Sequence, residues 1–153
     1  MGDDTYQKIL ATIGVKYAPP SGEFLAWLAG CKAPQEVIDQ FAAGTPLRRR
    51  SRVRDRWEFF TEKDIQKEAA ESPRYLKSGL LAIGTCVNGD PIALDLRKTV
   101  GAIGYISHDS VWEDDEVPIR KCFVVVALSL AEFACAVRDG SMAIDYYDAK
   151  SRN

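Results

Sequence analysis

One histidine and four cysteines among 153 residues leave little for metal or nucleophilic chemistry to use. No two of Cys31, Cys86, Cys122 and Cys135 stand as a Cys-x-x-Cys pair, which removes the zinc and thioredoxin signatures. They read as buried free thiols of a reducing compartment, since free cysteine is among the most buried residue types. His108 alone lacks the ligand spacing of a zinc site. The run Glu113, Asp114, Asp115, Glu116 lacks the alternation of a calcium loop. No metal and no cofactor is therefore expected. Glycine-rich phosphate loops, Gly-x-Ser-x-Gly and His-Glu-x-x-His are absent too. No apolar run reaches membrane-spanning length, so no membrane partner is expected. The opening residues, Met1 to Tyr6, are acidic and show no apolar signal core, and Tyr6 stands where a myristoylation signal has Ser or Thr. The expectation is a cytoplasmic protein.

The net charge of −2 argues against nonspecific nucleic-acid binding by the molecule as a whole. A hydrophobic content of 46% and a charged content of 27% are those of an ordinary globular chain. At 153 residues the chain reads as one domain, 1–153, without internal repeat or linker.

What the sequence does hold is centred on Leu80 to Ser107. Leu81, Ile83 and Thr85 alternate with small residues, as do Ile92, Leu94 and Leu96. Period two predicts strands with one buried face. Asn88-Gly89 between them predicts a two-residue hairpin loop, with φ above zero at both positions. A third strand over Ala102 to Ser107 completes an antiparallel meander. The run Cys122 to Leu128 is β-branched enough for a further, central strand.

Short helices precede this sheet: one over Thr5 to Ile13, one capped by Ser21 and stopped at Gly30, and one with Pro34 at its first helical position. Thr61 with Asp64 predicts a capping box, and so does Ser129 with Glu132. Gly140 ends the later helix. The fold class is thus α+β: a largely antiparallel sheet with short N-terminal helices and a C-terminal helix packed on it.

Two charged stretches stand out. Six of the nine residues from Arg48 to Arg56 are arginine. If that segment is extended, Arg48, Arg50, Arg52, Arg54 and Arg56 share one face, while Val53, Trp57 and Phe59 share the other. The plain reading is a solvated edge strand whose charges deter edge pairing. The functional reading is a strip for RNA, an anionic ligand or an acidic protein. The second stretch is a polar loop from His108 to Pro118. It holds Asp109, Trp112 and the acids Glu113, Asp114, Asp115 and Glu116. An exposed Trp in a charged rim has the composition of an interface anchor. His108 and Asp109 on a strand would diverge, which disfavours a triad with Cys86 or Cys122.

From Trp57 to about Val137 the chain resembles the SUKH superfamily, which includes a yeast cell-wall-synthesis regulator and many bacterial immunity proteins. Trp57-Glu-Phe-Phe with Thr61-Glu-Lys-Asp-Ile65 is similar to the family's strand leading to a short helix. Leu81 to Gly84 and Asn88 to Asp95 resemble its hairpin with a "leucine-aspartate" ending. Gly101 to Asp109 resembles its next strand and His-acid pair. Leu128 to Phe133 resembles its terminal helix. The first 47 residues do not reproduce the family's opening helix and glycine turn. The resemblance implies a binding protein rather than an enzyme: an immunity protein that neutralises a toxin, such as a nuclease, by covering its active site. Its partner would be the cognate toxin, its state a monomer or weak homodimer, and Glu113 to Glu116 would imitate phosphate. The alternatives are an RNA- or anion-binding module using Arg48 to Arg56, a small enzyme of unmarked chemistry, and a structural role.

Overall fold

A computed structural model describes residues 5–48 and 52–153. Local signals start most of its helices. The Thr5 side chain caps α1 (Tyr6–Ala11), and Ser21 caps α2 (Gly22–Gly30) by accepting from the Phe24 N–H. Pro34 serves as the N-cap of α3 (Gln35–Ala42) rather than as its first helical residue. Between them β1 (Tyr17–Ala18) pairs with β2 (Thr45–Pro46) in a small separate sheet.

Among the described residues the main sheet has six antiparallel strands in chain order: β3 (Arg52–Val53), β4 (Trp57–Phe59), β5 (Leu80–Cys86), β6 (Pro91–Asp95), β7 (Ile103–Ile106) and β8 (Phe123–Ala127). The α+β class and the antiparallel meander therefore hold. Every residue of β6 and β7 is buried, and so is all of β5 except Thr85. The large–small alternation in these strands is thus not an in–out pattern. Both faces are covered, and Ala82, Ala93 and Gly104 are the small side chains of an interior sheet.

α4 (Glu62–Glu71) and α5 (Pro73–Lys77) pack on β5. α7 (Leu130–Asp139) packs on β8 and on α1, and α8 (Tyr146–Arg152) on β7 and β8. Thr61 and Asp64 form the reciprocal capping box of α4. Ser129 caps α7, while Glu132 reaches the Leu128 N–H instead of that of Ser129. Gly140 closes α7 with φ of 76°. The rings of Phe59 and Tyr105 both meet Phe133 edge-on, and the buried Trp57 indole donates to the Tyr105 hydroxyl at 2.9 Å.

Several expectations are corrected. The arginine-rich segment is not one strand. Arg54 and Asp55 take left-handed φ values of 53° and 57°, and the Arg56 N–H donates back to the Val53 carbonyl at 3.1 Å. This turns the chain so that Val53 pairs with Trp57 and both are buried. A continuous strand would leave the Val53 and Arg52 backbone without that partner. The Asn88-Gly89 turn is longer than two residues. Cys86 and Asp90 bracket it, the Gly89 N–H donates to the Cys86 carbonyl, and only Gly89 has positive φ. The Asn88 side-chain Oδ1 accepts from the Asp90 N–H, an Asx turn that needs no left-handed Asn. β8 lies at the sheet edge rather than in its centre.

Gly104 is required where β7 meets β8. A Cβ there would overlap the Val124 carbonyl oxygen and sit 2.7 Å from the Phe123 ring. Backbone cannot swing aside as a side-chain tip can. Gly104→Ala is expected to cost about 1–3 kcal/mol, read as a lower urea midpoint.

Candidate functional site

The stretch read as a polar loop begins as a helix, α6 (His108–Glu113). Ser107 is its N-cap, its hydroxyl accepting from the Ser110 N–H at 3.3 Å. The serine is a legible cap signal, but a six-residue helix leaves too little periodicity to read. Helical spacing puts His108, Asp109 and Trp112 side by side. Trp112 is 84% exposed, the largest exposure of any large hydrophobic residue described. Glu113, Asp114, Asp115 and Glu116 follow it, all exposed.

Both ends of this ridge are tied down. At the N-terminal end Asp90, fully buried, accepts from the His108 backbone N–H at 3.1 Å and lies 2.5 Å from His108 Nδ1. The same carboxylate accepts from Asn88 Nδ2 and from the Tyr146 N–H, each at 3.0 Å. One side chain thus fastens the β5–β6 turn, α6 and α8 together. On the outside His108 Nε2 lies 3.1 Å from Asp109, because a helix start brings the two side chains together where a strand would separate them. The Tyr147 hydroxyl donates to Asp109 at 3.3 Å.

At the C-terminal end Arg74 holds the acidic loop. Its guanidinium donates to the carbonyls of Val111 at 3.3 Å, Asp114 at 3.4 Å and Val117 at 2.9 Å. Asp114 also accepts from the Glu116 N–H at 2.9 Å. Sequence reading found Trp112, Asp109 and the four acids, and missed Asp90, His108, Tyr147 and Arg74 as their supports. Nothing local marks Arg74, whose partners lie 37 to 43 residues on, or the reach of Asp90 to His108 and Tyr146, 18 and 56 residues on.

Among the described residues, Arg48, Arg54 and Arg56 do not form one strip. Arg54 donates to the Arg138 carbonyl, which points it toward the end of α7. Arg56 sits on the turn facing Asp148, whose carboxyl is held below its usual range chiefly by the Ile144 N–H and next by Arg152. Arg48 is exposed in the connection after β2. Arg50 and the side chain of Arg52 lie outside the described residues. The groove beside the turn holds Arg54, Arg56 and Arg152, matched by Asp55, Asp145 and Asp148, so it carries no net positive charge.

Burial pushes the Cys86 thiol up, and the nearby carboxylates of Asp90 and Asp145 add to the rise. Burial raises Cys122 as well. Neither is a thiolate at neutral pH. All four cysteines are free; Cys86 and Cys122 are buried, Cys31 and Cys135 only half-buried. No group of three His, Cys, Asp or Glu side chains among the described residues could hold a metal ion. No helix among them is long and apolar enough to cross a membrane.

Fold and site together define an α+β domain presenting an aromatic and acidic ridge. Among known proteins, no family model, no curated protein and no solved structure matches the chain.

Proposed function

We propose that this chain is a non-catalytic protein-binding domain of the SUKH type, an immunity protein that acts in the cytoplasm and neutralises a toxin by covering its active site. The observation that carries this reading is Trp112. An indole left 84% in water forgoes the stabilisation that burial gives an aromatic side chain. It is carried on a helix anchored by Asp90 at one end and Arg74 at the other. An exposed aromatic on an anchored helix, with a charged rim, has the form of a binding hot spot, because little backbone freedom remains to be lost on docking. The acids Glu113 to Glu116 complement a basic cleft, which suits a nuclease. They would speed encounter more than they strengthen the final complex.

The test is capture from the native host lysate at low and high salt, with wild type and Trp112→Ala run side by side. Wild type is expected to retain one stoichiometric protein. Trp112→Ala is expected to weaken that complex by 2 kcal/mol or more, roughly 30-fold. Asn or Gln at all four acids should slow association and flatten its salt dependence. Salt-labile nucleic acid with no protein would overturn the reading.

A further inference from the structure

Resting on that protein-binding reading, we propose that the groove between α5 and α6 receives one apolar side chain of the partner, flanked by basic residues that pair with the groove's carboxylate rim. The groove encloses about 420 Å³, within the range of ligand clefts, about 300–1,000 Å³. Its apolar surface comes from Pro73, Tyr75, Val111 and Trp112. The carboxylates Glu71 and Asp115 line it as well. The acids continue past the groove through Glu116, so the complement is a charged protein surface rather than a single small cation.

Among the described residues Arg74 is the one cation lining the groove, and its donors are turned to the carbonyls of Val111, Asp114 and Val117. It builds the wall and leaves the rim carboxylates outside. Glu71 lies 3.9 Å from Lys67, with both side chains more than half exposed. A pair so open is worth little and can exchange Lys67 for a partner's cation. Of the charged residues lining the groove, Glu71 and Asp115 outnumber Arg74, and the exposed acids Glu113, Asp114 and Glu116 adjoin it in the chain. An apolar side chain flanked by acids would be repelled, and a basic segment without the apolar group would leave Trp112 uncovered.

The experiment titrates the full chain, labelled with ¹⁵N, with three capped hexapeptides: Lys-Lys-Leu-Leu-Lys-Lys, Lys-Lys-Ser-Ser-Lys-Lys and Glu-Glu-Leu-Leu-Glu-Glu. The Trp112 indole N–H and the Tyr75 and Val111 amides are followed, with the buried Trp57 indole as the internal control. The first peptide is expected to shift these signals saturably, at least tenfold more tightly than either of the others. Glu71→Gln with Asp115→Asn should remove most of its salt dependence. Equal binding by the serine peptide would overturn the apolar anchor. Equal binding by the glutamate peptide would overturn the charge match. No shift from any peptide would overturn the groove as the site. If the first peptide alone binds but the host lysate yields no protein, the groove chemistry stands and the immunity reading falls. If a captured protein leaves Trp112 and Tyr75 unshifted, the groove is overturned while the protein-binding reading stands.

Discussion

Arg120→Ala is expected to lower folding stability by about 3–5 kcal/mol. Arg120, on the 3₁₀ turn Ile119–Cys122, grips Asp95 with both arms of its guanidinium at 2.9 and 3.0 Å. Its Nε donates to the Ser78 carbonyl at 2.8 Å. Asp95, at the end of β6, is almost wholly buried and also accepts from the N–H groups of Arg97 and Lys98. Truncating Arg120 removes the counter-charge and leaves the carboxylate inside, the expensive way to break a buried pair. Arg120→Lys keeps the charge but not the fork, and should fall between.

The same pair sets an acid limit. Burial pushes the Asp95 carboxyl up, but the Arg120 fork and the Arg97 and Lys98 N–H groups outweigh it and bring it from 3.8 down to about 2. A depressed carboxylate stabilises the fold above its unfolded value and loses that contribution as pH falls toward the folded one. Between about pH 4 and pH 2 the wild type should therefore lose roughly 2 kcal/mol through Asp95. Arg120→Ala should lose clearly less over that window. Urea unfolding at a series of pH values measures both effects. A variant as stable as wild type at pH 7 would contradict the account.

Asp90→Ala is the second large effect, on the order of 3 kcal/mol. It removes the shared acceptor of the His108 N–H, the Asn88 amide, the Tyr146 N–H and the His108 ring. The loss should be local before it is global. Amide exchange is expected to quicken at the starts of α6 and α8 while β6 and β7 stay protected. Partner affinity should also drop, although Asp90 itself is buried, because α6 no longer holds Trp112 in place. Unchanged exchange at His108 and Tyr146 would contradict the tether.

The features visible in the sequence were those that residues within a few positions decide. Ser21, Thr61 and Ser129 cap helices and Gly140 ends one, because a side chain meeting an N–H two or three residues on needs no tertiary context. The strands over Leu80 to Ile106 were legible for the same reason. Their double-sided burial was not, since a large–small alternation reads like an in–out one until the helices are placed. Parity failed at Arg54 and Asp55 because non-glycine residues rarely turn left-handed, and nothing in Arg-Asp-Arg announces it. β-branched composition identified β8 as a strand but not as an edge. At the candidate site the exposed members, Trp112 and the acids, were legible from composition. The supports were not: Asp90 meets Tyr146 across 56 residues, and Arg74 meets Val117 across 43.

The central claim is that Trp112 lies at the centre of a protein interface. The most direct test is oxidative footprinting of the tryptophans, by mass spectrometry, in the free chain and in its complex with the captured host protein. Free, Trp112 should oxidise readily and the buried Trp57 should not. In the complex Trp112 should be protected, with Trp57 unchanged. A complex in which Trp112 oxidises as fast as in the free chain would contradict the account and move the interface to another face.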